Sequence, residues 1–263
     1  LTGLLAGSYP ALFLSGFLPV DVLKGNLKTG AASSLFRNTL VIVQFTVSII
    51  LLVGTSVIYS QLQFIRNMNL GYDKENLIYM RMTGELWNKY QSLRASLEQN
   101  PLTSDYSFVS DLPSNVANAT ISVEWDGKDP DFQPLISNIA IDEKFMEVFR
   151  MSLLSGRSFS KEFTADTVNL VVNEKALRTM GMEVATAVGK SITLWGHKGT
   201  IIGVVKDFNF KPIQQPIEPI ILRLNTWGGI AVVRTKPGQA EATIDALEGI
   251  FKELNPDYPF TYN

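Results

Sequence analysis

The sequence holds no cysteine and one histidine in 263 residues. Without cysteine there is no disulfide framework, no thiolate nucleophile and no thiolate metal site. A single histidine excludes His-rich metal spacing and leaves His197 as the sole imidazole. No sign of charge dominates, since 23 Lys and Arg against 25 Asp and Glu leave a net charge of −2. Basic tracts and basic-aromatic interleaving are also missing, which argues against nucleic acid as a partner. An extracytoplasmic domain held by core burial alone fits the lack of cysteine, as do many cytosolic proteins. The chain opens at Leu1 without Met and already inside an apolar run. It reads as a piece of a longer polypeptide, and nothing at its start has the pattern of a signal peptide.

Hydrophobic residues, by contrast, are concentrated. Residues 39–59, TLVIVQFTVSIILLVGTSVIY, carry no charge. A helix of that length, at about 1.5 Å per residue, crosses the ~30 Å hydrocarbon core of a bilayer. Buried helices of soluble proteins are usually shorter and keep a polar stripe, whereas Gln44, Thr46, Ser48, Thr55 and Ser56 are scattered. Their hydroxyls can return hydrogen bonds to the helix's own carbonyls, and Gly54 with Ser48 offers a close-packing face. Residues 1–20 form a second uncharged run broken by Gly7, Pro10, Gly16 and Pro19. They read as the end of a preceding transmembrane segment, with a re-entrant or interfacial segment as the alternative. Residues 21–38 connect the two runs and carry Lys24, Lys28 and Arg37, against Arg66 and Lys74 beyond the span. The positive-inside rule places that connection in the cytoplasm. Past Tyr59, Ile58, Leu62, Ile65 and Met68 keep helical spacing. A helical stalk is therefore expected over residues 60–71, stopped by Gly71.

The remainder reads as a water-soluble α+β chain. Residues 76–82 alternate as a strand, 86–99 as an amphipathic helix and 105–109 as a strand. Near the other end, 229–235 is a strand, 239–254 a helix and 258–262 the start of a strand. The helices finish alike, in LEQNP and KELNP. Two strand–helix–strand units flanking an insert predict a split ferredoxin-like α+β sheet. The expected division is 72–111 with 225–263 as a porter-like subdomain, and 112–224 as an inserted β-rich subdomain. Within the insert, strands are expected at 119–125, 134–141, 168–172 and 220–224, with short helices at 143–150 and 174–180. A turn is expected at Asp126-Gly127, and a hairpin joins 191–195 to 200–205 across Gly196–Gly199.

No constellation of residues supports catalysis. Val188-Gly189-Lys190-Ser191 looks like the end of a phosphate loop, but Val184 stands where the motif needs glycine. Ser191 also begins a strand rather than a helix, so no helix N-terminus faces a phosphate. His197 falls in the expected hairpin turn. Asp207 follows a strand and reads as a turn-capping carboxylate. Ser155 and Ser158 do not lie in a nucleophile elbow. Catalytic, cofactor-binding and metal residues are each read as none.

Several stretches occur together and in order: GSYPAL (7–12), VDVLKG (20–25), RNTLVIVQF (37–45), LGYDKEN (70–76), VNEKA (172–176), IGVVKDFNF (202–210) and IEP (217–219). In these the chain resembles the permeases of ATP-binding-cassette transporters that share a membrane module with FtsX and MacB. It is similar to the two-module form, with membrane helices and two extracytoplasmic domains alternating. The resemblance implies a membrane-anchored α+β fold whose residues beyond about 60 are the second MacB-like periplasmic core domain. It implies a non-enzymatic subunit in the bacterial inner membrane, without cofactor, that couples a separate ABC ATPase to extracytoplasmic change or export. Implied partners are a second permease copy, a periplasmic adaptor or substrate, and membrane lipid. The alternative is an extracytoplasmic ligand-sensing domain of a membrane receptor.

Overall fold

A computed structural model describes residues 31–225 and 228–263. The segment 1–20 therefore lies outside the described residues. Helix α1 (Ala31–Asn67) begins within the expected connection and continues through the uncharged run. The stretch Arg37–Asn67 contains an 18-residue window with a mean hydropathy of 2.4 and no buried residue, and is long and apolar enough to cross a membrane. Some of its hydroxyls turn inward on the backbone: Thr46 Oγ1 donates to the Ile42 carbonyl at 2.8 Å and Ser60 Oγ to that of Ser56 at 2.9 Å. A lipid environment leaves polar side chains few other partners. The helix stops at Asn67, short of the expected end at Gly71.

The rest, Asn69–Asn263, is a compact unit of its own. Its strands are β1 (Leu77–Arg81), β2 (Thr103–Val109), β3 (Ala119–Thr120), β4 (Val123–Trp125), β5 (Ile136–Ile141), β6 (Leu153–Gly156), β7 (Leu170–Asn173), β8 (Ser191–Leu194), β9 (His197–Val205), β10 (Ile220–Leu224) and β11 (Ile230–Thr235). They run β1-β11-β2-β5-β10-β7-β9-β8-β4, with β3 on β5 and β6 on β9. Helices are α2 (Tyr90–Gln99), α3 (Phe145–Val148), α4 (Glu174–Thr179), α5 (Val184–Ala187) and α6 (Ala240–Leu254).

The two strand–helix–strand units share one antiparallel sheet. β11 lies between β1 and β2, and the terminal Asn263 exchanges both backbone hydrogen bonds with Tyr79 at 3.0 Å. Adding that segment outside β1 gives the ferredoxin-like order. Helices α2 and α6 cover one face, with Leu93, Leu97, Leu247 and Phe251 packed on Met80, Phe108 and Val233. The other face is covered from the insert by Phe145, Phe149 and Phe208, which share a core with Ile230 and Val232. β11 is thus buried on both faces, and its sequence IAVVRT reads as a continuous run.

The insert extends the sheet through β5 and β10, which are parallel. The seam between the two parts is narrow, because β2 and β5 pair only at Val109 and Ile141. Beside it a buried carboxylate substitutes for the missing ladder. Asp142 accepts from Ser107 Oγ at 2.6 Å and from the Phe108 N–H at 2.9 Å.

Several local expectations are corrected by tertiary contacts. The helix expected over 86–99 is split into a 3₁₀ turn, Gly84–Trp87, and α2. The buried Asn255 side chain accepts the Glu85 N–H at 3.0 Å and holds that turn. The single strand expected at 119–125 bends at Ile121-Ser122, so β3 joins β5 while β4 joins β8. Consequently the Asp126-Gly127 turn closes no hairpin. In the β8–β9 hairpin the turn is shorter than expected, Trp195-Gly196, both with positive φ (51° and 82°). Such a primed turn matches strand twist, so the ladder extends to the tip and His197 pairs with Leu194. No strand is assigned over 258–262; Phe260 instead packs on Phe251, with ring centroids 5.4 Å apart.

Candidate functional site

The irregular segment that follows α1 is held by many bonds. In Asn69–Glu75, Asn69 Oδ1 accepts the Gly71 N–H at 2.9 Å, and the Leu70 carbonyl accepts the Asn209 N–H at 2.7 Å. Gly71 has φ +87°, and a Cβ there would sit 2.7 Å from Phe208 Cβ. Only glycine supplies both the conformation and the clearance. Next, the Tyr72 ring meets Phe149 and Phe208 edge-on, at 6.1 and 6.4 Å. Burial pushes its phenol up to about 12.

Arg234 completes the grip. Its side chain, 3 % exposed, rises from β11 into this segment. It donates to the carbonyls of Val148 (2.7 Å), Glu75 (2.7 Å) and Asp73 (2.8 Å). Its charge faces Asp73 Oδ2 at 3.4 Å, which also accepts from Arg150 at 2.8 Å. Desolvation lowers the basicity of Arg234, and Asp73 opposes that shift. The Asp73 N–H donates to the Phe149 carbonyl at 2.9 Å. Three separate elements thus hold one short segment: β11, the turn after α3, and the chain after β9.

Beside the segment lies a cavity of about 490 Å³ whose lining includes Asp73, Arg150, Lys206 and Asp207. Charges of both signs line it and several are already paired. It is suited to binding polar groups rather than to activating a nucleophile.

The residues weighed from sequence are dispersed. Asp207 accepts from the Lys175 N–H at 2.8 Å, in the first turn of α4, and from the Arg178 guanidinium. It therefore caps a helix 32 positions away in sequence rather than its own turn. His197 lies at the far end of β9 from Asp207, ~30 Å off along an extended strand. Gly189 forms a turn at φ +90°, and β8 rather than a helix follows it. Ser155 lies in β6, and the Ser158 hydroxyl is buried without a hydrogen-bond partner among the described residues. No cluster of three or more His, Asp or Glu converges as a metal site would, among the described residues. Arg234 and Asp73 escaped sequence reading. The available signal was an arginine inside the apolar run IAVVRT, where a charge requires a partner.

An apolar helix long enough to cross a membrane leads into an α+β domain that holds the segment Asn69–Glu75 by several hydrogen bonds; together they define a membrane-anchored α+β domain. The sequence model of the MacB-like periplasmic core domain matches residues 39–250. The chain belongs to that family, the periplasmic domain of ABC transporter permeases. The fold is similar to the periplasmic region of MacB from Actinobacillus actinomycetemcomitans, at 14% identity and a TM-score of 0.52, covering 73% of this chain and 90% of that one. The extracellular domain of the noncanonic ABC-type transporter YknZ from Gram-positive bacteria aligns at 15% identity and a TM-score of 0.49, covering 71% and 96%. No curated protein sequence matches significantly. The family is a transporter permease component, and membership implies an ATPase partner. With α1, it makes this a membrane-anchored protein with an extracytoplasmic domain.

Proposed function

We propose that this chain is part of a permease subunit that passes the conformational change of a separate ABC ATPase to the extracytoplasmic side of the bacterial inner membrane. The observation that carries this reading is the grip on Asn69–Glu75, which starts two residues beyond the end of α1. A segment tied to β11, to Phe149 and to Asn209 transmits displacement to both parts of the sheet at once. A passive tether needs no such bonds.

On this reading residues 1–20 end a preceding span, 21–38 lie in the cytoplasm, 39–59 cross the bilayer and 60–71 form the stalk. Residues 72–111 and 225–263 form the porter-like subdomain, and 112–224 the insert. A second copy of the permease, a periplasmic adaptor or substrate, and membrane lipid complete the assembly. The chain itself contributes no chemistry.

The test uses the stalk. Gln63 lies inside α1, where its Nε2 donates to Tyr59 Oη at 3.2 Å. Proline there removes one backbone bond and clashes with the preceding turn, costing ~3 kcal/mol or more and kinking the helix. In the complete permease, Gln63→Pro is expected to retain co-purification of the ATPase and to abolish transport or resistance output. Gln63→Ala should be nearly silent in both. Full output from a well-expressed proline variant would refute mechanical coupling through the stalk.

A further inference from the structure

Away from the anchored segment, the tip of the β8–β9 hairpin and the end of β10 enclose a cavity of about 290 Å³. Val168, Leu194 and Leu224 give it an aliphatic wall, and Trp195, His197 and Arg223 supply its aromatic and polar surface. No carboxylate is among its described lining residues. Two of these residues are costly to the fold and serve little within it.

The first is Arg223. Its guanidinium carbon lies 5.2 Å from the centroid of the Trp195 ring. Its Nε is buried and donates to no acceptor among the described residues. Asp111 acts on it electrostatically, while burial holds its basicity below that of an ordinary arginine. A buried charged donor with no acceptor loses hydration that a ring face and a carboxylate beyond hydrogen-bond reach replace only in part.

The second is Trp195. It occupies the first position of a two-residue turn with φ +51°. Asn, Asp and Gly favour that position, and a bulky residue there is an outlier. The ring is nonetheless 45 % exposed, and its indole N–H donates to Thr120 Oγ1 at 3.1 Å, which fixes its orientation. Asparagine would make the same turn with less strain and without an indole facing water. A strained, oriented, exposed aromatic beside a guanidinium whose buried Nε has no acceptor among the described residues points to a ligand.

We propose that this cavity binds a small amphipathic carboxylate, with its carboxylate on Arg223 and its apolar body against Trp195 and the aliphatic wall. The planar fork of the guanidinium matches a carboxylate. The volume lies at the lower limit of small-molecule sites, which suits a short aryl-alkyl acid rather than a drug-sized molecule.

The experiment is calorimetric titration of the full chain in lipid nanodiscs, with empty nanodiscs as blank. The probes are 3-phenylpropionate and its neutral isostere, 3-phenylpropanamide. Saturable binding of the acid is expected, with the amide about tenfold weaker or worse, as a lost charge-assisted pair predicts. Arg223→Gln should bind the two probes alike. Trp195→Asn should weaken both while melting no lower than the parent, because the turn is relieved of strain. Equal affinity for acid and amide, a preference that survives Arg223→Gln, or no saturable binding would each overturn the assignment. A lower melting temperature for Trp195→Asn would make the indole structural and overturn its role as the ligand's platform.

Discussion

Asp142 is fully buried at the seam between β2 and β5, where the sheet has its weakest ladder. Burial pushes its carboxyl up to about 6, against the hydrogen bonds from Ser107 and Phe108 that favour the ionised form. Glu143 raises it further and Arg94 lowers it. The ordinary value of 3.8 applies to the unfolded chain. Between those two values the folded protein keeps a proton that the unfolded chain has released. Stability contributed by this residue is therefore greatest below about pH 4 and falls as pH rises towards 6. The shift corresponds to a difference on the order of 3 kcal/mol. Asp142→Asn removes the titration. Urea unfolding of both proteins from pH 4 to 7 should show the difference, parent minus variant, declining by 1–3 kcal/mol, roughly, as pH rises. A difference constant in pH would show that Asp142 does not titrate in that range. Other carboxylates act in the opposite sense, since ion pairing holds Glu143 and Asp166 low against their burial, so only the difference isolates Asp142.

At the scale of elements, two glycines separate backbone requirement from mere tolerance. Gly71 has φ +87° and backbone atoms of Phe208 and Asp207 within 2.9 Å of a built Cβ. Gly249 lies inside α6 with nothing within 4 Å. Gly71→Ala should lower stability by ~2 kcal/mol or more, since strain and overlap add. Gly249→Ala should raise it by about 0.5–1 kcal/mol through helix propensity alone. Thermal unfolding of both variants checks the pair, and similar effects at the two positions would contradict the geometry of the anchored segment. The same contrast explains what the sequence made legible. Helices α1 and α6 and strands β1 and β11 carry their own periodicity, so the apolar span and the paired units could be read locally. Where β4 pairs, or why the helix over 86–99 divides, depends on Thr193 or Asn255, which lie 69 and 170 positions away in sequence. The grip of Arg234 on Asp73 spans 161 positions, and alternation alone hides it inside a buried strand.

The whole domain tests whether that grip bears load or merely decorates a junction. Residues 69–263 form a compact unit and supply enough chain to bury roughly 70% of the surface exposed on unfolding. They are expected to fold in water without detergent and to unfold in a single cooperative transition. A chain beginning at Asn76 keeps every strand and helix of the unit. It loses the Tyr72 ring, the Leu70 carbonyl that accepts from Asn209, and the carbonyls of Asp73 and Glu75 on Arg234. Among the described residues Arg234 then keeps only the Val148 carbonyl as acceptor, within a strand that is buried on both faces. Removing the partners of a buried charge costs on the order of 3–5 kcal/mol. Water reaching the opened site will recover part of that, so the shorter chain should remain folded while its urea midpoint falls well below that of residues 69–263. Equal midpoints would mean that Asn69–Glu75 contributes nothing to the domain's stability. A segment held that loosely could not pull on β11, and the coupling assigned to it would have to run elsewhere.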